Sequence, residues 1–299
     1  MSKARPLSAA KAVCLCLAAQ LVLVGILFAA PRLLFYNPYS KDAAPGLVFT
    51  ALTQLLSPNI NNCGMSIDDD WSGFAAHTAE YYCTPAADFT LQSFRDDDEI
   101  TFRFGRAYVT TRDSLYKSEP QSTFLEPKRA ASLDNAANRP NDRYLAWVQF
   151  AESLSTEEFE QKYAYLFRNV GQRTNAFLWI PVKTSDSPSA PCLGVAGNAA
   201  TYFVGNWFGF EPLDNQTLPY REAFFRRTVQ LLSEKKEETS MFLASGLWGV
   251  KRLYFFTVEE YLKQNGCSYL GFVAYLEGAE LVKISKDTNN TIFKVISKA

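Results

Sequence analysis

The sequence predicts an α+β domain carried behind one N-terminal transmembrane helix, and three observations lead to it. Ala12–Ala30 (AVCLCLAAQLVLVGILFAA) runs for 19 residues without a charge. Strand-like apolar runs at 143–150 (RYLAWVQF), 176–182 (AFLWIPV) and 268–275 (SYLGFVAY) alternate with helix-like ones. Two Ser/Thr-x-x-Glu boxes, Ser155–Glu158 and Thr257–Glu260, mark where helices should begin.

A helix of 19 residues rises about 28 Å, close to the roughly 30 Å hydrocarbon core of a bilayer. A cleaved signal peptide is the competing reading, because Lys3, Arg5 and Lys11 precede the run. Phe28 and Ala30 do not make the small-x-small cleavage pattern, Pro31 follows at once, and the run is longer than a usual signal core. The expectation is therefore a retained signal anchor in the cell membrane. Its basic flank places residues 1–11 in the cytoplasm and the C-terminal domain outside, as an extracytoplasmic domain.

The domain organisation expected is 1–11 cytoplasmic, 12–30 transmembrane, 31–142 a juxtamembrane helix, loop and hairpin region, and 143–299 an α+β domain. With 30 basic and 31 acidic residues and a net charge of -1, the chain as a whole carries no electrostatic footprint for nucleic acid or an anionic membrane. Four cysteines lie outside the span, enough for two disulfides in an exported domain. Cys63–Cys83 with Cys192–Cys267 is the preferred of three pairings, because it stays within the two halves.

Taken in order, Pro31–Pro45 reads as a linker with Phe35 and Tyr36 at the interface. Gly46–Leu56 reads as a short helix with Leu47, Thr50, Ala51 and Leu55 on one face, stopped by Pro58. Residues 57–86 are rich in Asn, Asp, Gly and Ser and read as an irregular loop. Ile100, Phe102 and Phe104 alternate with polar residues and turn back across Gly105-Arg106, a hairpin. Residues 117–142, polar and with three prolines, read as a linker or long loop.

Beyond it, strand 143–150 leads into a helix capped by Ser155 and Glu158 and stapled by Leu154 and Phe159. Phe159, Tyr163, Leu166, Phe167 and Val170 share its buried face, Gly171 ends it, and strand 176–182 follows. Tyr220–Lys236 is a helix burying Phe224, Phe225, Leu231 and Leu232, and an apolar segment, Met241–Phe256, leads on. The second box, with Phe256 and Tyr261 as its staple, opens a helix ending at Gly266. Strand 268–275, a helix at Gly278–Lys286 with Leu281 and Ile284 inward, and strand 291–296 close the chain. Two β-α-β units of this kind predict an α+β sandwich of ferredoxin-like type.

No constellation carries chemistry, so no catalytic, cofactor-binding or metal-ligating residue is assigned and no cofactor is expected. Asp68-Asp69-Asp70-Trp71-Ser72-Gly73 begins like a calcium loop, but Ala79 stands where its closing Glu belongs, and the stretch reads as an Asx turn. Asp96-Asp97-Asp98-Glu99 reads as a charged hairpin end. Gly194, Gly197 and Gly205 match neither phosphate-loop pattern and read as a turn. His77 is the only histidine, which leaves a hydrolase triad and a zinc site without partners.

RYLAWVQFAESLSTEEFEQKYAYLF…FLWIPVKT and EEYLKQNGCSYLGFVAYLEGAELVKISKDTNNTIFKVI resemble the C-terminal domain of the bacterial sigma factor regulator family. The span, FYNPYS and the following helix ending in SPN are similar to that family's N-terminal membrane region. The resemblance implies a non-enzymatic regulator whose outer domain senses or binds a signal and acts on an extracytoplasmic-function sigma factor, as an anti-sigma factor or through a partner subunit. The membrane and a protein of that regulatory system are the partners implied. An exported, membrane-anchored hydrolase is the alternative from another class.

Overall fold

A computed structural model describes residues 9–34, 44–58, 60–67, 76–85, 99–103, 106–110, 121–172, 178–196 and 217–297. Helix α1 runs over Ala9–Leu34, 26 residues. Its side chains are described over 11–26, where every one is exposed. Among the described residues no helix is long and apolar enough to cross a membrane; that stretch of α1 rises only about 24 Å.

Helix α2 (Pro45–Leu56) follows, with Pro45 in its first turn. The sequence reading gave it one buried face, but every residue except Gly46 is buried. It packs on strand β1, on β7 and on two later helices, so no side of it meets water. Of its polar residues Thr53 is satisfied locally: its hydroxyl donates to Phe49 O and accepts from the Trp248 indole N–H.

Strands β1 (Ile60–Ile67), β2 (Ala76–Pro85), β3 (Glu99–Arg103) and β4 (Arg106–Thr110) form an antiparallel sheet in chain order. The hairpin expected around Gly105 is present as β3–β4, with Arg103 opposite Arg106 and with Ile100 and Phe102 buried. The loop expected over 57–86 is instead mostly β1 and β2. INNCGMSI and AHTAEYYCTP lack the alternation of an amphipathic strand; they are strands because each finds a partner ladder and β1 lies on α2.

The second sheet has the order β7-β6-β8-β5-β9, from β5 (Arg143–Leu154), β6 (Leu178–Val182), β7 (Leu193–Ala196), β8 (Tyr269–Glu277) and β9 (Asn290–Ser297). Every neighbouring pair is antiparallel. Thus β5 and β6, joined by helix α5 (Thr156–Gln172), run parallel on either side of β8. Strands β8 and β9, joined by helix α9 (Gly278–Ser285), flank β5 in the same way. Two interleaved split β-α-β units make this mixed α+β sheet.

Both faces of the sheet are covered, which explains why RYLAWVQF is apolar at nearly every position. Tyr144, Ala146, Val148 and Phe150 belong to the large core, together with Phe159 and Tyr163 of α5 and Phe272 of β8. Leu145 and Trp147 belong to a smaller cluster with Trp179, Val273 and Phe124. Phe124 lies on α3 (Ser122–Leu125), inside the segment expected to be a linker. That segment also carries α4 (Asp134–Asn138) and folds against the sheet. Gln149 donates from Nε2 to Phe124 O and Glu126 O, and Ala131 N donates to Ile292 O. Polarity misled there, because the segment closes its hydrogen bonds on the sheet.

Helices α6 (Leu218–Glu234), α7 (Lys236–Ala244) and α8 (Phe255–Asn265) fill the stretch between β7 and β8. Phe224, Phe225, Leu231 and Leu232 are buried on α6 as the periodicity predicts. The capping box at Ser155 is formed: Ser155 N donates to Glu158 Oε2 at 2.8 Å, and Glu158 N to Ser155 Oγ at 3.3 Å. Helix α5 runs one residue beyond Gly171.

The second box is not formed. Helix α8 begins at Phe255, two residues ahead of Thr257, whose hydroxyl donates back to Tyr254 O. Phe255 rather than Phe256 turns into the core, so Phe256 is left exposed. Gly194, read as part of a turn, is a strand residue on β7, opposite Pro181. A Cβ there would lie 2.0 Å from the Trp179 ring.

Candidate functional site

Helices α6 and α8 pack side by side, and the best-formed polar cluster sits beneath their contact. Glu222 and Arg226 are four apart on α6, so they share a face. Arg226 holds Glu222 Oε1 through both Nε and Nη2 at 2.9 Å, and its Nη1 donates to Leu262 O near the end of α8. Thr156 Oγ1 at the start of α5 donates to Glu222 Oε2 at 2.7 Å, and Tyr269 OH on β8 donates to the same oxygen at 3.1 Å. Glu222 of α6 thus gathers α5 and β8 directly, and α8 through Arg226.

Burial alone would raise the Glu222 pKa. Hydrogen bonds from Thr156 and Arg226, together with the Arg226 charge, outweigh it and hold the carboxyl below its ordinary range. The Cys267 thiol beside it is pushed up to about 12, first by burial and then by the Glu222 charge. A general base needs a raised carboxyl and a nucleophilic cysteine a lowered one, so both groups are tuned away from those roles. This cluster locks α5, α6, α8 and β8 together.

Above the lock lies a groove of about 390 Å³ with Ala223, Val229 and Leu262 along its apolar walls. Arg226, Arg227 and Lys263 stand at its rim, each holding a carboxylate: Glu222, Glu234 and Glu259. Apolar walls under tethered cations can take up a small apolar group with a polar end. Nearby, Lys183 pairs with Asp186 at 2.9 Å, and Tyr261 OH donates to the same carboxylate.

The motifs singled out from sequence do not converge here. Asp68–Gly73, Asp96–Asp98, Gly197 and Gly205 lie outside the described residues. Glu99 opens β3, and His77 lies on β2 opposite Phe102. Among the described residues no group of His, Cys, Asp and Glu could hold a metal ion.

Of the cysteines, Cys63 and Cys83 stand opposite each other on the β1–β2 ladder. Cys192 and Cys267 are buried and not joined in a disulfide, which corrects the pairing expected between them. They belong to different clusters, Cys192 behind the sheet and Cys267 in the main core. Only the i,i+4 spacing of Glu222 and Arg226 could have announced the lock; Thr156, Cys267 and Tyr269 join it through strand order alone.

No family model, no curated protein and no solved structure matches this chain.

Proposed function

We propose that this chain is a single-pass membrane protein whose extracytoplasmic domain works by binding rather than catalysis. The exposure of α1 carries the reading. Val13, Leu17, Leu21, Val22 and Ile26 are 55–73% exposed on a helix that packs its described side chains against nothing. Apolar surface on that scale calls for lipid or another helix to cover it. A helix over the whole uncharged 12–30 run would rise about 28 Å. The domain behind it is a ferredoxin-like sandwich in this reading, since β9-β5-β8-β6 is the strand order of two split β-α-β units.

Binding is favoured because the polar cluster beneath the α6–α8 groove is fully committed to cohesion, while the groove remains open. The partner class, an extracytoplasmic-function sigma factor system, comes from the resemblance of residues 143–183 and 254–297.

Extraction of membranes with alkaline carbonate, followed by N-terminal sequencing of the retained chain, tests the anchor. Retention with the N-terminus ahead of Ala12 is expected. A mature chain beginning near Pro31 defeats the proposal.

A further inference from the structure

Outside α1, four large apolar side chains among the described residues are conspicuously exposed: Tyr108, Leu125, Tyr254 and Phe256. Two of the four are neighbours at the start of α8, where Tyr254 is 61% and Phe256 54% exposed. The turn leading into them carries Lys251 and Arg252, both exposed. Neither cation holds a carboxylate among the described residues. Nearby on α8, Glu259 is held by Lys263 and only Glu260 stands exposed, one turn beyond Phe256.

We propose that Lys251, Arg252, Tyr254 and Phe256 form a lipid-docking patch that lays the domain on an anionic bilayer surface. This rests on the anchored reading above. Tyr254, with its polar hydroxyl edge, belongs at the bilayer interface, Phe256 adds an apolar ring that can bury beside it, and cations are drawn to anionic headgroups there. The charges are complementary to an anionic leaflet and the rings to its headgroup layer.

Tethering makes weak docking effective. Eleven residue steps separate Leu34 from Pro45, so the chain between them reaches at most about 40 Å and the domain stays near the surface. The near-neutral charge of the whole chain conceals this local basic-aromatic tip.

The test uses the full chain reconstituted in phosphatidylcholine vesicles with or without phosphatidylglycerol, outer domain outward, under limited trypsin. Cleavage after Lys251 and Arg252 is expected to slow roughly tenfold on the anionic vesicles, and high salt restores it. Cleavage after exposed Lys286 is expected to stay unchanged. The double variant Tyr254→Ser with Phe256→Ser loses the protection. Equal cleavage on both lipids, with the chain still carbonate-resistant, overturns the patch and leaves the anchor intact. Release of the chain by carbonate overturns the anchor instead, and lipid-dependent protection that persists in the double variant overturns the aromatic assignment.

Discussion

The indole N–H of Trp179 donates to the carbonyl oxygen of Gln54 at 3.0 Å, joining β6 to the end of α2. Gln54 is among the last four residues of that helix, whose carbonyls have no partner within it. The ring reaches it because Gly194, on the neighbouring strand, leaves room where any Cβ would collide. Trp179→Phe removes the donor and also the second ring of the indole, leaving a small cavity in the core. It should cost about 1–2 kcal/mol in denaturant unfolding, and Gly194→Ala should cost at least as much by pushing the ring away.

Glu222→Gln should destabilise the fold by about 2 kcal/mol at neutral pH, below the value for a fully buried pair because Arg226 is 34% exposed. The pH dependence has a definite sign. The folded carboxyl titrates below its ordinary value of 4.5, so its stabilisation is complete above that pH and lost as pH falls through the depressed value. Wild type should therefore lose more stability on acidification below 4.5 than the Gln variant. Parallel curves from pH 7 to pH 3 would contradict the lock.

Cysteine chemistry separates the four thiols outside α1. Opposite positions on antiparallel strands put Cα atoms about 4.5–5.5 Å apart, within disulfide reach. Non-reducing peptide mapping should recover Cys63 linked to Cys83. Cys267, pushed up to about 12 and buried, should resist iodoacetamide at pH 8 until the chain unfolds, as should buried Cys192. Rapid alkylation of either in the native state would show that the core is not packed as described.

Gly278 opens α9 where α4 crosses closest. A Cβ there would meet Ala136 O at 2.4 Å and Arg139 O at 2.6 Å, both backbone atoms. Gly278→Ala should cost about 1–3 kcal/mol. Ala279→Ser, one residue along on the exposed side, should change the unfolding midpoint little.

Replacing Ala12–Ala30 by an unrelated apolar segment of equal length tests whether the helix transmits a signal or only tethers. Under the function proposed above, loss of sigma-dependent regulation with the domain still folded is the expected outcome. Unchanged regulation would reduce the helix to a tether, since a ligand shifts an inward equilibrium only through different affinities for two states.

The chain by itself determined what local physics controls. The uncharged run at 12–30, the Ser155–Glu158 box, the buried Phe159, Tyr163 and Leu166 of α5 and the apolar strands at 143–150 and 268–275 were legible because period and capping are short-range properties. The side chains of Phe167 and Val170 lie outside the described residues. Tertiary structure decided the rest. INNCGMSI is a strand only because α2 and β2 lie against it, and Phe124 is core only because the back of the sheet needs a cover. Thr257 and Glu260 spell a box that is never closed, because Phe255 finds the core first and starts the helix two residues earlier. The lock around Glu222 draws Thr156, Arg226, Cys267 and Tyr269 from positions 156 to 269. No local pattern encodes such a meeting, because strand order, set by burying both faces of one sheet, is what brings those residues together.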